Sequence, residues 1–188
     1  MMKKIKRLAM VALFLSAWLS GCDSERYRAE EKFAAVQKKL MVSVNDLTKI
    51  PPQVELVNEP YIKGKIAVFR ALEKKGNNVK DKTYFMEIFY FREMEESYAA
   101  APEEVGTVAL LDCQMRQKGV YKTDDGKEYP AQVEDCELTM IDRSKPAVIF
   151  KKMFEKTPSE ERRAIGNSVL RQSAGEDILQ FLKGLPRK

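Results

Sequence analysis

The sequence predicts one α+β domain: an N-terminal helix, a mainly antiparallel sheet of about five strands, and a C-terminal helix packed on that sheet. Three observations predict it. Apolar residues recur at intervals of three and four near both ends of the chain, the period of a helix that buries one side. Strand-like runs fill the middle, and two of them flank an Asp-Gly turn signal. Helices gathered at the ends of a run of consecutive strands are the α+β arrangement.

Taken in order, residues 24–47 read as a helix. Phe33, Val36, Leu40, Val44 and Leu47 fall on one face, with Glu30, Glu31, Lys38 and Lys39 on the other, so the apolar stripe is expected to dock on the domain. Ile50-Pro51-Pro52 ends the pattern, because a residue before proline avoids the α region, and 51–60 reads as an extended connector. Residues 62–72 carry Ile66-Ala67-Val68-Phe69, a continuous apolar run suited to a strand covered on both faces. Gly76-Asn77-Asn78 marks a turn. Residues 84–91 form an aromatic stretch. Tyr84, Phe89 and Tyr90 there are candidates to line a ligand pocket, although core or sheet packing accounts for such a cluster more often. Residues 93–104 read as a helical turn and loop.

The hairpin is the strongest internal signal. Runs 106–121 and 129–141 flank Thr123-Asp124-Asp125-Gly126-Lys127; Cys113 lies 11 residues before Asp124 and Cys136 lies 11 after Asp125, so a fold about Asp124-Asp125 brings the two cysteines opposite each other. In an oxidising compartment the pair predicts a disulfide, worth about 3 to 3.5 kcal/mol for a loop of this size. A metal site built from both cysteines with Asp112 and Asp135 is disfavoured, since adjacent strand residues face opposite ways. A redox pair is disfavoured too, for want of a C-x-x-C spacing. Residues 142–146 form the next turn and 147–154 a third strand, giving an antiparallel meander. Thr157-Pro158-Ser159-Glu160 resembles a helix start with Ile165, Val169 and Leu170 as its apolar side. Ile178, Leu179, Phe181 and Leu182 form the apolar face of the last helix, closed by Gly184 and Pro186.

The first 22 residues have a different character. Lys3, Lys4, Lys6 and Arg7 precede the apolar run 8–19, and Leu19-Ser20-Gly21-Cys22 closes it. The run is too short for the ~20 residues of a membrane-spanning helix. This combination resembles the signal peptide and lipobox of bacterial lipoproteins: an aliphatic residue, two small residues and a cysteine. The resemblance implies cleavage between Gly21 and Cys22 and three-chain acylation of Cys22, hence an exported domain held on a lipid bilayer. Asp23 resembles the enteric sorting signal for the inner membrane. On this reading 1–21 is a discarded signal, 22–60 the lipidated N-terminus, helix and connector, and 61–188 the globular domain.

Cleavage also changes the charge. The full chain of 188 residues carries +5, but its four leading basic residues leave with the signal, and the remainder has 29 basic against 28 acidic side chains. That balance lacks the basic footprint that binds nucleic acid. The absence of histidine removes Ser-His-Asp and Cys-His chemistry and the usual zinc and copper ligand sets. No glycine-rich phosphate loop, G-x-S-x-G or C-x-x-C occurs. No catalytic residue, metal or cofactor is therefore assigned. Two functions stay open: a non-catalytic interaction or structural module with a protein partner in the envelope, or a ligand-binding or carboxylate-using enzyme domain.

Overall fold

The structure is a computed structural model describing residues 27–72, 82–122, 126–158 and 172–188. The expected signal and lipobox, the turn expected at Gly76, the dipeptide Asp124-Asp125 and the helix expected after Pro158 lie outside those residues. Within them the chain runs α1 (27–42), α2 (Val44–Leu47), β1 (Gln53–Val54), β2 (Lys65–Leu72), β3 (Thr83–Phe85), α3 (Ile88–Glu93), β4 (Val105–Lys122), β5 (Glu128–Asp142), β6 (Ala147–Phe154), β7 (Gln172–Ser173) and α4 (Gly175–Lys183). Short 3₁₀ turns at Glu95–Ser97 and Pro102–Glu104 join α3 to β4.

The α+β class holds, but the sheet is mixed and larger than expected. Among the described residues seven strands run in the order β1-β6-β5-β4-β2-β3, with β7 added beside β5. The meander β4-β5-β6 is antiparallel as the turns predicted. Parallel pairs then enter at three places: β1 with β6, β2 with β4, and β5 with β7. The physical reason lies in the connections. After β2 the chain turns back as β3 on one side of it, then crosses through α3 to enter β4 on the other side, a long return that parallel neighbours require. The connector 51–60 holds β1 because β6 supplies the pairing that its prolines would not suggest. The amides of Glu55 and Val57 extend the ladder to the carbonyls of Val148 and Ile149, at 2.8 and 3.0 Å.

β4 and β2 form the centre. Thr107 through Leu111 and Ile66 through Phe69 are buried whichever way they point, as expected for strands covered on both faces. Below Leu111 the alternation becomes visible. Cys113, Cys136 and Leu138 face a covered side, while Asp112, Gln114, Asp135 and Glu137 face the other. α4 closes the cysteine side: Ile178, Leu179 and Leu182 are buried, and Phe181 stacks on Phe150 at 5.0 Å and meets Phe154 edge-on at 5.5 Å. α1 and α2 join the same core through the predicted stripe. Leu40 and Leu47 are buried, and Phe33, Val36 and Val44 pack beside them. Ser43 interrupts the helix, and Thr48 ends it by donating its hydroxyl to the Val44 carbonyl at 2.7 Å.

Two local devices fix the edges of β2. β3 pairs only with Arg70 to Leu72, so upstream the backbone of Val68 is served by a side chain: the Tyr98 hydroxyl lies 3.1 Å from both its N–H and its C=O. On the other side the chain at Lys63-Gly64 crosses close over the start of β4. Thr107 Oγ1 bonds both Lys63 N and O, and Gly64 takes φ +59°, a conformation that glycine adopts without strain.

Candidate functional site

Two polar groupings flank the disulfide, one on each face of the sheet. Cys113 and Cys136 sit directly opposite each other in the β4-β5 register and are bonded. Both are buried. On their own face, Arg70 of β2 reaches between Glu87 Oε1, at 2.8 Å, and Glu134 Oε1. Glu134 Oε2 also accepts from Ser173 Oγ at 2.6 Å, and Ser173 Oγ in turn accepts from Gly175 N at 3.1 Å. Tyr90 completes the wall by donating to the Gly175 carbonyl at 3.3 Å. This cluster ties β2, β5, β7 and the start of α4 together around one cation.

Its charges are set by one another. Burial alone would lower the Arg70 pKa, but Glu87 and Glu134 outweigh it and raise the value further, so Arg70 stays cationic. Removing it would leave two partly buried carboxylates facing each other. Arg70→Met, which keeps the stem, is therefore expected to cost about 2 kcal/mol, less than a fully buried pair because the cluster retains some water contact. Adding Glu134→Gln should restore part of the loss, and urea denaturation of the single and double variants measures both.

Across the sheet the aspartate face opens into a shallow concavity of about 120 Å³, lined by Asp112, Gln114, Arg116, Asp135, Glu137 and Met153. Its acids are already paired. Lys82 bonds Asp112, Lys151 lies 3.1 Å from Glu137, and Lys118 lies 2.8 Å from Asp135. Asp135 is the buried member; it also accepts from the Lys156 amide at 2.8 Å. Burial pushes its pKa up, and the bonds from Lys118 and Lys156 more than reverse that, leaving it below the usual aspartate value.

Asp142, at the far end of β5, behaves alike. Burial raises its pKa, while hydrogen bonds from Ser144, Tyr61 and Lys145 lower it overall. Folded-state values below the unfolded value of about 3.9 mean that both carboxylates contribute stability fully above that pH and lose it as pH falls through the lowered values. The denaturation midpoint is expected to hold between pH 7 and 5 and to fall below about pH 4. Asp142→Asn should flatten that fall, and an unchanged acid profile would contradict this origin.

The sequence-predicted pocket aromatics do not share one site. The stretch that suggested them divides into β3 and α3, because Glu87 takes an extended conformation and the chain then coils. Phe89 and Tyr90 meet edge-on at 5.2 Å on α3; Tyr90 is buried, and Phe89 is partly exposed. Tyr84 stands on β3, and none of the three lines the concavity. Burial raises the Tyr90 hydroxyl far above its usual value, which fits a packing residue. Cys113, Glu134 and Cys136 bring three potential ligand atoms within 4.8 Å, but bonded sulfurs are not the thiolates a metal needs, and Glu134 is held by Arg70 and Ser173. Asp112 and Asp135 lie on the opposite face. Sequence reasoning missed Arg70, Glu87 and Glu134, which no motif marks; the weak available signal was a lone arginine inside an apolar strand.

No protein-family model, curated protein or solved structure matches the chain. Among the described residues no helix is long and apolar enough to cross a membrane.

Proposed function

We propose that the chain is a bacterial envelope lipoprotein, held on the bilayer by an acylated Cys22, whose exported α+β domain serves as a non-catalytic interaction or structural module. The observation that carries the reading is Leu19-Ser20-Gly21-Cys22 behind a short apolar run and a basic end. The bonded Cys113 and Cys136 support it, because disulfides persist in oxidising compartments. The geometry of the anchor is tight. Only residues 23–26 separate the lipidated cysteine from the first described turn of α1, a reach of at most about 18 Å at full extension, so the domain would ride close to the membrane. Asp23 favours the inner membrane under the enteric rule.

Among the described residues, the carboxylates lining the concavity are ion-paired rather than free for acid-base work. The concavity's volume of about 120 Å³ is below the ~300 Å³ at which small-molecule pockets begin. Radiolabelled palmitate with membrane fractionation tests the anchor. The parent chain should incorporate label and sediment with membranes, and Cys22→Ser should do neither; a Cys22→Ser chain that matures and fractionates like the parent would refute it.

A further inference from the structure

An acylated Cys22 would fix the domain to a bilayer without fixing its orientation, and α1 is the first described element after it. One side of α1 is turned to the core: Leu40 is buried, Phe33 meets Phe91 at 5.6 Å, and Lys32 bonds Glu95 at 2.7 Å. On the other side Tyr27, Glu31, Ala35, Lys38 and Val42 follow at intervals of four, four, three and four, which places them in one row, and all five are exposed. The row ends in the two most exposed large apolar side chains among the described residues, Val42 at 85% and Tyr27 at 70%. The sequence has no acid between Glu31 and Asp46. Lys38 and Lys39 fall in that interval, and neither forms an ion pair with a described residue; Glu104, the acid that bears on Lys39, is itself bonded to Lys65 at 2.9 Å.

We propose that this outer face of α1 lies flat on an anionic phospholipid bilayer, with Tyr27 and Val42 at the headgroup boundary and Arg28, Lys38 and Lys39 among the lipid phosphates. Tyrosine is enriched at that depth, and lysines beside a membrane are drawn to anionic lipid. The inference rests on the lipoprotein reading: acyl chains on Cys22 supply the affinity, and the face, held at high local concentration, sets only the orientation. The tether itself holds the first turn of α1 near the surface whichever way the domain turns. Val42 lies about 22 Å further along the axis, so it reaches the lipid only when the helix lies down. A protein partner, a second copy included, fits less well. Lysine and alanine are depleted in protein interfaces, and two apolar side chains at opposite ends of a helix form no contiguous patch.

Trp18 is the only tryptophan of the sequence, so a mature chain from Cys22 that carries Val42→Trp has a single reporter. Cys113 and Cys136 are bonded, which leaves the Cys22 thiol to be coupled to a maleimide phospholipid in vesicles of phosphatidylcholine and phosphatidylglycerol. Against the same chain coupled to a soluble maleimide, Val42→Trp should show blue-shifted emission that brominated lipid quenches. Gln180→Trp, on the exposed side of α4, should show neither. Lys38→Gln with Lys39→Gln should lower the ratio of docked to free domain about tenfold, and vesicles of phosphatidylcholine alone should lower it as well. All these side chains are exposed, and each variant is compared only if it melts like the parent. Unshifted emission from Val42→Trp, an equal response from Gln180→Trp, or docking indifferent to both the lysines and the anionic lipid would each overturn the proposal. The coupling replaces the acyl chains, so an unshifted emission refutes the docking alone, and a chain that takes up no palmitate in cells refutes the anchor alone.

Discussion

Gly106→Ala is expected to destabilise the domain by at least about 3 kcal/mol, the upper end of ordinary overpacking. An added Cβ at that position would lie 2.1 Å from the carbonyl oxygen of Lys63 and 2.9 Å from its carbonyl carbon. The obstacle is backbone, so no rotamer change relieves it. Moving the 62–64 segment away would break both bonds of Lys63 to Thr107 Oγ1 and the pairing of Ile62 with Lys188 and Pro186. For a domain of this size the loss corresponds to a fall in Tm of about 6 to 12 °C. Gly126→Ala is the comparison: its Cβ would meet nothing within 4 Å, though its φ of +78° adds strain. A Gly106→Ala chain melting within a degree of the parent would contradict this close crossing of Lys63 over Gly106.

Replacing both cysteines, Cys113→Ala with Cys136→Ala, is expected to cost about 3 kcal/mol in denaturant unfolding, chiefly by releasing a loop of 23 residues' separation in the unfolded chain. The same loss should follow from a reductant applied to the parent under unfolding conditions, and the reductant should leave the double variant unchanged. If the parent and the variant unfold at the same denaturant concentration, the sulfurs are not bonded in the working protein.

Both cysteines were placed correctly by counting outward from Asp124 and Asp125, because an antiparallel hairpin is a local object whose register follows from its turn. The stripe from Phe33 to Leu47 along α1 and α2 and the α4 face from Ile178 to Leu182 were legible for a similar reason: each announces its buried side by period alone. The parallel pairs were not. Gln53-Val54 becomes a strand only because β6 lies beside it, and strand propensity depends strongly on such neighbours. The stretch 84–91 carries too few residues for its period to separate β3 from α3. Arg70, Glu87 and Glu134 come together from three elements far apart in sequence, and nothing local to any of them marks the meeting.

The chemical state of residue 22 decides whether the domain is held on a membrane. Mass spectrometry of the N-terminal peptide from protein purified out of membranes reads it directly. The predicted result is a chain that begins at Cys22 and carries the mass of a diacylglyceryl thioether with an amide-linked acyl chain. A chain that begins at Met1, or one whose Cys22 is a free thiol, would contradict it.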